Sequence, residues 1–354
     1  ALYLTTTSML IQENINLKAF NTFNVSAYAR YFVDIKSTTD LIEALTFSQQ
    51  NNLRIMIIGQ GSNLLFKKDY LGLIVELNIK GIELIKEIDE GYYYIKAQCG
   101  ENWHEFVKHC LQSGYYGLEN LSLIPGTVGA APVQNIGAYG VELSEFLHEL
   151  EAIEIASGKV VIFSKEDCQL SYRHSIFKSE LKDKFIITNV TYKLLKHPQP
   201  NLSYPALHNA LKNEETGNIS PQLISDTVCQ IRRSKLPDPT ELGNAGSFFW
   251  NPIVSTDIFL ALQEKHSGIV AFPYVDQKRG AEKEQYKLAA AWLIEQAGWK
   301  GFREGDVGVH KEHSLVLINY GEATGAELYE LSHRIQESVK EMFGIELRPE
   351  VRII

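Results

Sequence analysis

The chain has 354 residues, of which 45% are hydrophobic and 22% are charged, and its formal net charge at pH 7 is -9. These values are typical of a globular protein and exclude a disordered chain, a collagen-like repeat and a coiled coil. The acidic balance argues against a broad nucleic-acid-binding surface, but it allows a local cationic pocket for a phosphorylated small molecule. At roughly 150 residues per domain, the length predicts two or three domains.

Short apolar and β-branched runs predict strands at residues 30–35, 54–58, 73–77 and 82–86, at residues beginning with Tyr92, and at residues 147–155, 184–194, 315–319 and 347–353. Helical spacing predicts helices at residues 40–51, 101–113, 221–233, 256–266 and 287–297. Thr38 or Thr39 can cap the first helix. Thr324-x-x-Glu327 is a capping box that opens a helix reaching about Met342. The order of elements predicts an α+β protein with boundaries near residues 85 and 230.

The cysteines and the apolar runs indicate the compartment. Cys99, Cys110, Cys168 and Cys229 contain no C-x-x-C pair, so neither a zinc framework nor a redox motif is indicated. Scattered thiols fit a reducing compartment. No apolar run approaches the roughly 18 residues of a membrane span, and the first residues lack the features of a secretory signal. We therefore expect a cytoplasmic protein without a membrane span.

Two glycine-rich stretches are candidates for a phosphate site. Gly59-Gln60-Gly61-Ser62-Asn63 follows a predicted strand, and successive backbone N–H groups in such a turn can bind an anion. It is neither a Walker loop nor a dinucleotide fingerprint, so this stretch by itself favours a tight structural turn over a ligand site. Residues 125–140 form a long Gly-, Ala- and Pro-rich loop, and such loops are usually functional. Two such loops in one chain suggest a ligand with a diphosphate, although a large structural loop remains open.

Three further stretches carry polar groups in unusual settings. Ser247 stands between a glycine turn and three aromatic residues, where a hydroxyl could donate a proton, or the stretch could simply enter a buried strand. Arg173 could clamp a carboxylate or form an ordinary ion pair. Glu350 lies in Arg348-Pro349-Glu350-Val351-Arg352, which also reads as an exposed terminal ion pair. The spacings of His104 with His109 and of His310 with His313 do not suit metal ligation, so no metal site is expected.

Together these motifs resemble the UDP-N-acetylenolpyruvoylglucosamine reductase family of flavoenzymes. The resemblance runs from residue 21 to residue 352, and its order and spacing are specific. The matching stretches are residues 59–63, 124–126, 134–140, 172–178, 235–239 and 243–249. A tyrosine-bearing segment near Tyr204 resembles the longer form of the enzyme, which is typical of many Gram-negative bacteria.

The resemblance implies a fold and a domain division. We expect a two-part FAD-binding fold of the vanillyl-alcohol-oxidase type plus a third α+β substrate domain. Residues 1–84 would form the first FAD-binding part, residues 85–230 completed by residues 345–354 the second, and residues 231–344 the substrate domain. A monomer is expected. The segment of residues 274–286 is rich in Lys and Glu and is longer than the family pattern, so we expect a surface insertion there.

The resemblance also implies a reaction. NADPH reduces bound FAD, and the reduced flavin passes a hydride to the enolpyruvyl group of UDP-N-acetylglucosamine enolpyruvate, giving UDP-N-acetylmuramate for peptidoglycan synthesis. Ser247 is the implied proton donor, and Arg173 and Glu350 match the other two catalytic positions. A flavin oxidase of the same superfamily and a non-catalytic nucleotide-binding module are the alternatives.

The remaining site residues are also carried over by motif. Positions that would hold FAD are Gly59, Gly61, Ser62, Asn63, Pro125, Gly126, Thr127, Gly129, Ala130, Asn135, Gly137, Ala138, Tyr139 and Gly140. Positions that would contact the sugar nucleotide or the NADPH phosphates are Tyr204, Arg232, Lys235, Asn251 and Gln296. Thr127 departs from the residue of some relatives, and Trp250 stands where the family pattern predicts a cation.

Overall fold

A computed structural model describes residues 3–4, 9–89, 91–275 and 284–354. The helices of these residues are α1 (Thr38–Gln50), α2 (Trp103–Gln112), α3 (Pro205–Leu211), α4 (Pro221–Lys235), α5 (Thr256–Lys265), α6 (Ala290–Gln296) and α7 (Gly325–Phe343). Their strands are β1 (Tyr3–Leu4), β2 (Leu10–Asn16), β3 (Tyr28–Ile35), β4 (Ile55–Ile58), β5 (Leu64–Leu65), β6 (Tyr70–Leu77), β7 (Ile82–Asp89), β8 (Tyr92–Gln98), β9 (Gly137–Ala138), β10 (Val141–Glu142), β11 (Leu147–Glu154), β12 (Val160–Ser164), β13 (Phe185–Leu195), β14 (Ile253–Ser255), β15 (Ala271–Tyr274), β16 (Gln285–Leu288), β17 (Arg303–Glu304), β18 (Val307–Val309), β19 (Leu317–Asn319) and β20 (Arg352–Ile353).

The chain divides into two compact units. The first unit comprises Ala1–Ile15, Ala29–Gln60 and Leu71–Ser234. The second comprises Asn16–Tyr28, Gly61–Tyr70 and Lys235–Ile354. The three-domain division expected from the sequence stays a prediction.

The first unit contains two five-stranded sheets. One has the order β1-β2-β3-β6-β4, in which β4 and β6 are parallel. Helix α1 buries Leu41, Ala44 and Leu45 in the core of this sheet. The other sheet is antiparallel, with the order β12-β11-β13-β8-β7, and α2 adds Trp103 and Phe106 to its core. Apolar burial on one face of each helix therefore fixes the framework from which the glycine loops leave.

The second unit is built around α7 and two three-stranded sheets, β14-β16-β15 and β17-β18-β19. The capping box of α7 is present as predicted, because Thr324 Oγ1 accepts from the Glu327 amide at 3.1 Å and the Glu327 carboxylate accepts from the Thr324 amide at 3.0 Å. The helix ends at Gly344, whose φ of +67° suits glycine. Leu328, Leu331 and Ile335 enter one apolar core with residues of α6.

The buried residue Asn319 connects three segments of the second unit through its side chain and its backbone N–H group. Asn319 Nδ2 donates to the Phe23 carbonyl at 2.8 Å, and Asn319 Oδ1 accepts from the amides of Gly321 and Ala323 at 2.8 and 3.0 Å. The Asn319 amide donates to the Gly243 carbonyl at 2.8 Å. The last strand of its sheet is thereby joined to the segment that leads to Ser247.

The structure corrects several element boundaries. Ser37, not Thr38 or Thr39, caps α1, since its Oγ accepts from the Asp40 amide at 3.1 Å. The predicted helix at residues 287–297 is wrong over its first turn: β16 occupies Gln285–Leu288, and α6 begins only at Ala290. The predicted strand at residues 347–353 shortens to Arg352–Ile353. The expected insertion at residues 274–286 lies mostly in residues 276–283, outside the described residues.

Replacing Asn319 by Ala is expected to lower the free energy of unfolding by about 2–4 kcal/mol, because several buried backbone groups lose their partners together. Thr324→Ser is the matched control in the same unit: it keeps the capping hydroxyl and should change stability by less than about 0.5 kcal/mol. Urea and thermal unfolding measure both variants. An Asn319→Ala protein as stable as the parent would contradict the structural role of this amide.

Candidate active site

The first glycine turn meets the long loop inside the first unit. A Cβ on Gly59 would lie 2.7 Å from Thr127 Oγ1, closer than real side chains approach. Next to it, Gln60 Oε1 accepts a hydrogen bond from the Gly126 amide at 2.9 Å. Glycine is therefore required at position 59 by the packing of the protein itself, and the two predicted loops are in contact, as a shared ligand site requires.

The turn continues at Gly61, which belongs to the second unit. Its φ is +64°, and a Cβ there would overlap the Phe20 carbonyl oxygen. Within the described part of the chain, the amide groups of Gly61 and Ser62 have no hydrogen-bond acceptor. Successive amides in such a turn can bind an anion, so the turn fits one phosphate of the FAD diphosphate.

Asn135 holds the second half of the long loop in shape. Its side chain is fully buried and its φ is +47°. Asn135 Nδ2 donates to Glu142 Oε2 at 3.0 Å and to the Ser171 carbonyl at 2.9 Å, while Oδ1 accepts from the Ser144 amide at 2.9 Å. We infer a positioning role for this side chain, because all of its polar atoms are used to fix the backbone around residues 135–144.

Arg173 extends across the same loop. Its Nη2 donates to the Gly137 carbonyl at 2.9 Å, and a Cβ on Gly137 would lie 3.1 Å from Nη1. Its own φ of +50° is rare for a side chain of this size. Lys178 Nζ donates to the Arg173 backbone carbonyl at 3.3 Å, so a second cation belongs to the same short segment. The segment of residues 172–178 thus presents positive charge next to the glycine loop.

Arg232 on α4 completes a cationic, aromatic cluster in the first unit. It is half-buried, its Nε donates to the Leu123 carbonyl at 3.3 Å, and it shares a hydrogen bond with Tyr139. Burial lowers the pKa of Arg232, and the nearby positive charge of Arg173 acts in the same direction. The Tyr139 and Tyr204 rings meet edge to face with centroids 5.2 Å apart. Four of the predicted site residues therefore lie together.

Sequence reasoning missed Asn120, which joins the two tyrosine-bearing segments. Its buried Nδ2 donates to the carbonyls of Tyr139 and Asn201, both at 2.9 Å. A cavity of about 460 Å³ lined by Glu119, Asn120 and Asn201 lies behind this contact, but it contains none of the predicted site residues. Burial raises the pKa of the Glu119 carboxyl. Nothing local in the sequence distinguishes such an amide, because its partners lie up to 81 residues away.

In the second unit, Ser247 lies on a short extended segment between two others. Phe248 donates its amide to the Leu315 carbonyl and accepts from the Glu350 amide, both at 2.8 Å. Ser247 itself bridges to Val316, and Phe249 bridges to Pro349. The hydroxyl of Ser247 and the carboxylate of Glu350 therefore belong to neighbouring segments, and Phe248 and Phe249 are buried beside them.

The other predicted substrate residues of the second unit are more dispersed. Lys235 is the exposed last residue of α4, and its charge contributes to lowering the pKa of His313, although burial of the imidazole is the larger cause. Asn251 Oδ1 accepts from the Ala290 amide at 3.0 Å, at the start of α6. Gln296 is exposed at the end of α6. Asn251 thus has a structural contact whatever else it binds.

The described residues contain neither a candidate metal-binding cluster nor a candidate membrane-spanning helix. No group of three or more His, Cys, Asp or Glu side chains among them could hold a metal ion. In the same ranges, no helix is both long and apolar enough to cross a membrane.

Known families match both halves of the chain. A profile described as the UDP-N-acetylenolpyruvoylglucosamine reductase C-terminal domain matches residues 238–354, and one described as an FAD binding domain matches residues 29–164. A relative named UDP-N-acetylenolpyruvoylglucosamine reductase from Amoebophilus asiaticus (strain 5a2) is 48% identical over 98% of this chain and 100% of its own length. The chain belongs to the UDP-N-acetylenolpyruvoylglucosamine reductase family.

Further comparisons agree with this membership. A relative of the same name from Pseudomonas syringae pv. syringae (strain B728a) is 46% identical over 97% of this chain and 98% of its own length. The solved UDP-N-acetylenolpyruvylglucosamine reductase (MurB) from Thermus caldophilus has a TM-score of 0.67 at 22% identity, covering 98% of this chain and 99% of that one. The predicted family and α+β fold class are confirmed, and the chain is an oxidoreductase with an FAD-binding domain.

Gly59→Ala should destabilise the protein by about 1–3 kcal/mol and weaken FAD binding, because the new methyl group meets Thr127. Thr127→Ala should restore the stability in the double variant, since the new methyl would then face the Thr127 Cβ position at 3.4 Å. Gly217→Ala, where a Cβ meets nothing within 4 Å, is the control. Melting temperature with and without FAD, and FAD fluorescence titration, measure the effect. Failure of the double variant to recover would contradict the assigned contact.

Proposed function

We propose that the protein reduces the enolpyruvyl double bond of UDP-N-acetylglucosamine enolpyruvate to give UDP-N-acetylmuramate, with NADPH as the electron donor. The observation that supports this most is the joint presence, in a member of this reductase family, of the Ser247–Glu350 pair in one unit and the Arg173–Arg232 cluster in the other. We place the reaction in the cytoplasm and expect a monomer. The domain division given above remains part of this proposal.

The net reaction adds one hydride and one proton across the carbon–carbon double bond of the enolpyruvyl group. FAD held by the glycine loops would supply the two-electron chemistry, taking a hydride from NADPH and giving it to the terminal methylene carbon. That addition leaves negative charge delocalised over the neighbouring carbon and the substrate carboxylate. The protein must therefore stabilise an anion and then deliver a proton to one specific carbon.

Arg173 is suited to the first task. Its guanidinium is anchored through one nitrogen to the Gly137 carbonyl, so the group is oriented before substrate binds. A pre-oriented cation stabilises developing negative charge without a reorganisation cost during the reaction. Gly137 makes room for this placement, since a side chain there would crowd Nη1.

Ser247 is suited to the second task. Its backbone bridges to Val316, and the next residue is hydrogen-bonded to both neighbouring segments, which fixes where the hydroxyl can reach. A serine hydroxyl is a weak acid, and its proton transfer needs a strongly basic carbon in a site that excludes water. Glu350 lies on the adjacent segment, and we assign it to hydrogen bonding of the same reacting region.

The binding of anionic groups falls to the cations and tyrosines. Arg232 and Tyr204 lie in the cationic, aromatic cluster of the first unit, and Lys235 is exposed at the end of α4. We propose that they contact the phosphates of the sugar nucleotide or of NADPH, with Asn251 and Gln296 as further contacts. Guanidinium and ammonium groups are the usual partners of phosphate.

Ser247→Ala should leave FAD content and flavin reduction by NADPH near normal, because neither step needs a proton at the substrate carbon. Reoxidation of the reduced enzyme by the sugar nucleotide should slow by at least about 10²–10⁴-fold, the usual worth of general acid catalysis. Stopped-flow absorbance of the flavin separates the two half-reactions.

Ser247→Cys is the matched variant, and it should recover part of the second half-reaction because a thiol can also donate a proton. A Ser247→Ala enzyme that is slow in flavin reduction but normal in reoxidation by substrate would show that Ser247 has another role. If the unmutated protein shows no NADPH oxidation that depends on the sugar nucleotide, the proposed reaction itself is refuted.

A further inference from the structure

His104 links the predicted phosphate-binding Arg232 to two other elements, and the mechanism above gives it no role. It is the second residue of α2 and is half-buried. His104 Nδ1 accepts a hydrogen bond from the Leu123 amide at 2.8 Å. In the neutral ring the proton is then on Nε2, which lies 4.0 Å from Cys229 Sγ on α4.

Leu123 is an unusual place for such a contact. Its φ of +60° is a left-handed conformation that a branched side chain rarely adopts, so surrounding contacts must hold it. Both of its backbone polar groups are held, the amide by His104 and the carbonyl by Arg232 Nε at 3.3 Å. The backbone of Leu123 therefore connects the imidazole of His104 to the guanidinium of Arg232.

The second nitrogen of the ring contacts the helix that carries Arg232, through Cys229. Cys229 and Arg232 are three residues apart on α4, and such residues are neighbours on one helix face. Burial raises the pKa of the Cys229 thiol, so the sulfur is neutral and contacts the ring without a competing charge. His104 thus contacts both the loop and the helix that support Arg232.

We propose that neutral His104 is a positioning residue that fixes Arg232 for phosphate binding through the backbone of Leu123. This inference rests on the proposed function, in which Arg232 binds a phosphate of the sugar nucleotide or of NADPH. It assigns His104 no contact with either ligand.

Burial and the charges around the ring favour the neutral imidazole, which is the form that accepts from the Leu123 amide. Burial lowers the pKa of His104 below its ordinary value of 6.5, and Lys108, Arg233 and Arg232 act in the same direction while Glu105 opposes them. The ring is therefore neutral at pH 7. Protonation at lower pH places hydrogen on Nδ1, which then cannot accept from the Leu123 amide, so phosphate binding should weaken as the pH falls through the lowered pKa.

Three substitutions at position 104 separate the roles of the two ring nitrogens. His104→Asn keeps an acceptor near the position of Nδ1, whereas His104→Leu has none and His104→Gln places its amide near the position of Nε2. For Leu and Gln we expect the KM of the sugar nucleotide or NADPH to rise about tenfold, with kcat within about twofold and FAD content unchanged. Asn should remain within about threefold of the parent and should lose the rise of KM at low pH. His109→Leu, an exposed change on the same helix, is the control.

Arg232→Ala makes the failures distinguishable. If His104 acts through Arg232, His104→Leu should add little to the KM of an Arg232→Ala enzyme, because the two changes remove one interaction. A normal KM for Arg232→Ala would overturn the phosphate role in the proposed function and this inference with it. A raised KM for Arg232→Ala combined with additive effects, or with an Asn variant no better than the Leu variant, would overturn the inference alone.

Discussion

Irregular loops can be buried only if their backbone polar groups find partners, and buried asparagine amides supply those partners in both units. The side chains of Asn135 and Asn120 bind carbonyls and amides of residues 139, 144, 171 and 201 in the first unit. The side chains of Asn319 and Asn244 do the same for residues 23, 237 and 242 in the second. Each amide has both a donor and an acceptor, so one side chain can join two segments that share no regular ladder. The candidate site is precise because its loops are held by these amides.

Backbone strain is concentrated in the same loops of the first unit. Leu123, Asn135, Tyr139 and Arg173 all have φ between +47° and +60°, and three of them are residues for which this region is costly. Such conformations persist only where other contacts determine them. Leu123 and Arg173 are each hydrogen-bonded through their carbonyl groups to a cationic side chain. The strained backbone positions therefore lie next to cationic side chains, which hold the loops in these conformations.

Local signals explain which elements could be predicted from the sequence. The capping box at Thr324 depends on residues three apart, so it was predicted correctly. The helix predicted from residue 287 was wrong because a short alternating run, Gln285–Leu288, precedes the helix and pairs with strands on both sides. Helix α3 was missed because its seven residues start at a proline and carry too short a pattern. The positions of Arg173 and Ser247 could be taken from their motifs, whereas Asn120 and His104 act through residues distant in sequence and left no local signal.

Charge distribution connects the composition of the chain to its site. The protein is acidic overall, yet Arg173 and Arg232 lie close enough for the charge of Arg173 to lower the pKa of Arg232. Two guanidinium groups in a partly buried cluster repel each other. The hydrogen-bond acceptors of Arg232, Tyr139 and the Leu123 carbonyl, offset only part of that repulsion. Under the proposed function, a bound phosphate of the sugar nucleotide or of NADPH would relieve it. A third cation at His104 would oppose the arrangement before substrate arrives, which gives a physical reason for keeping that ring buried and neutral.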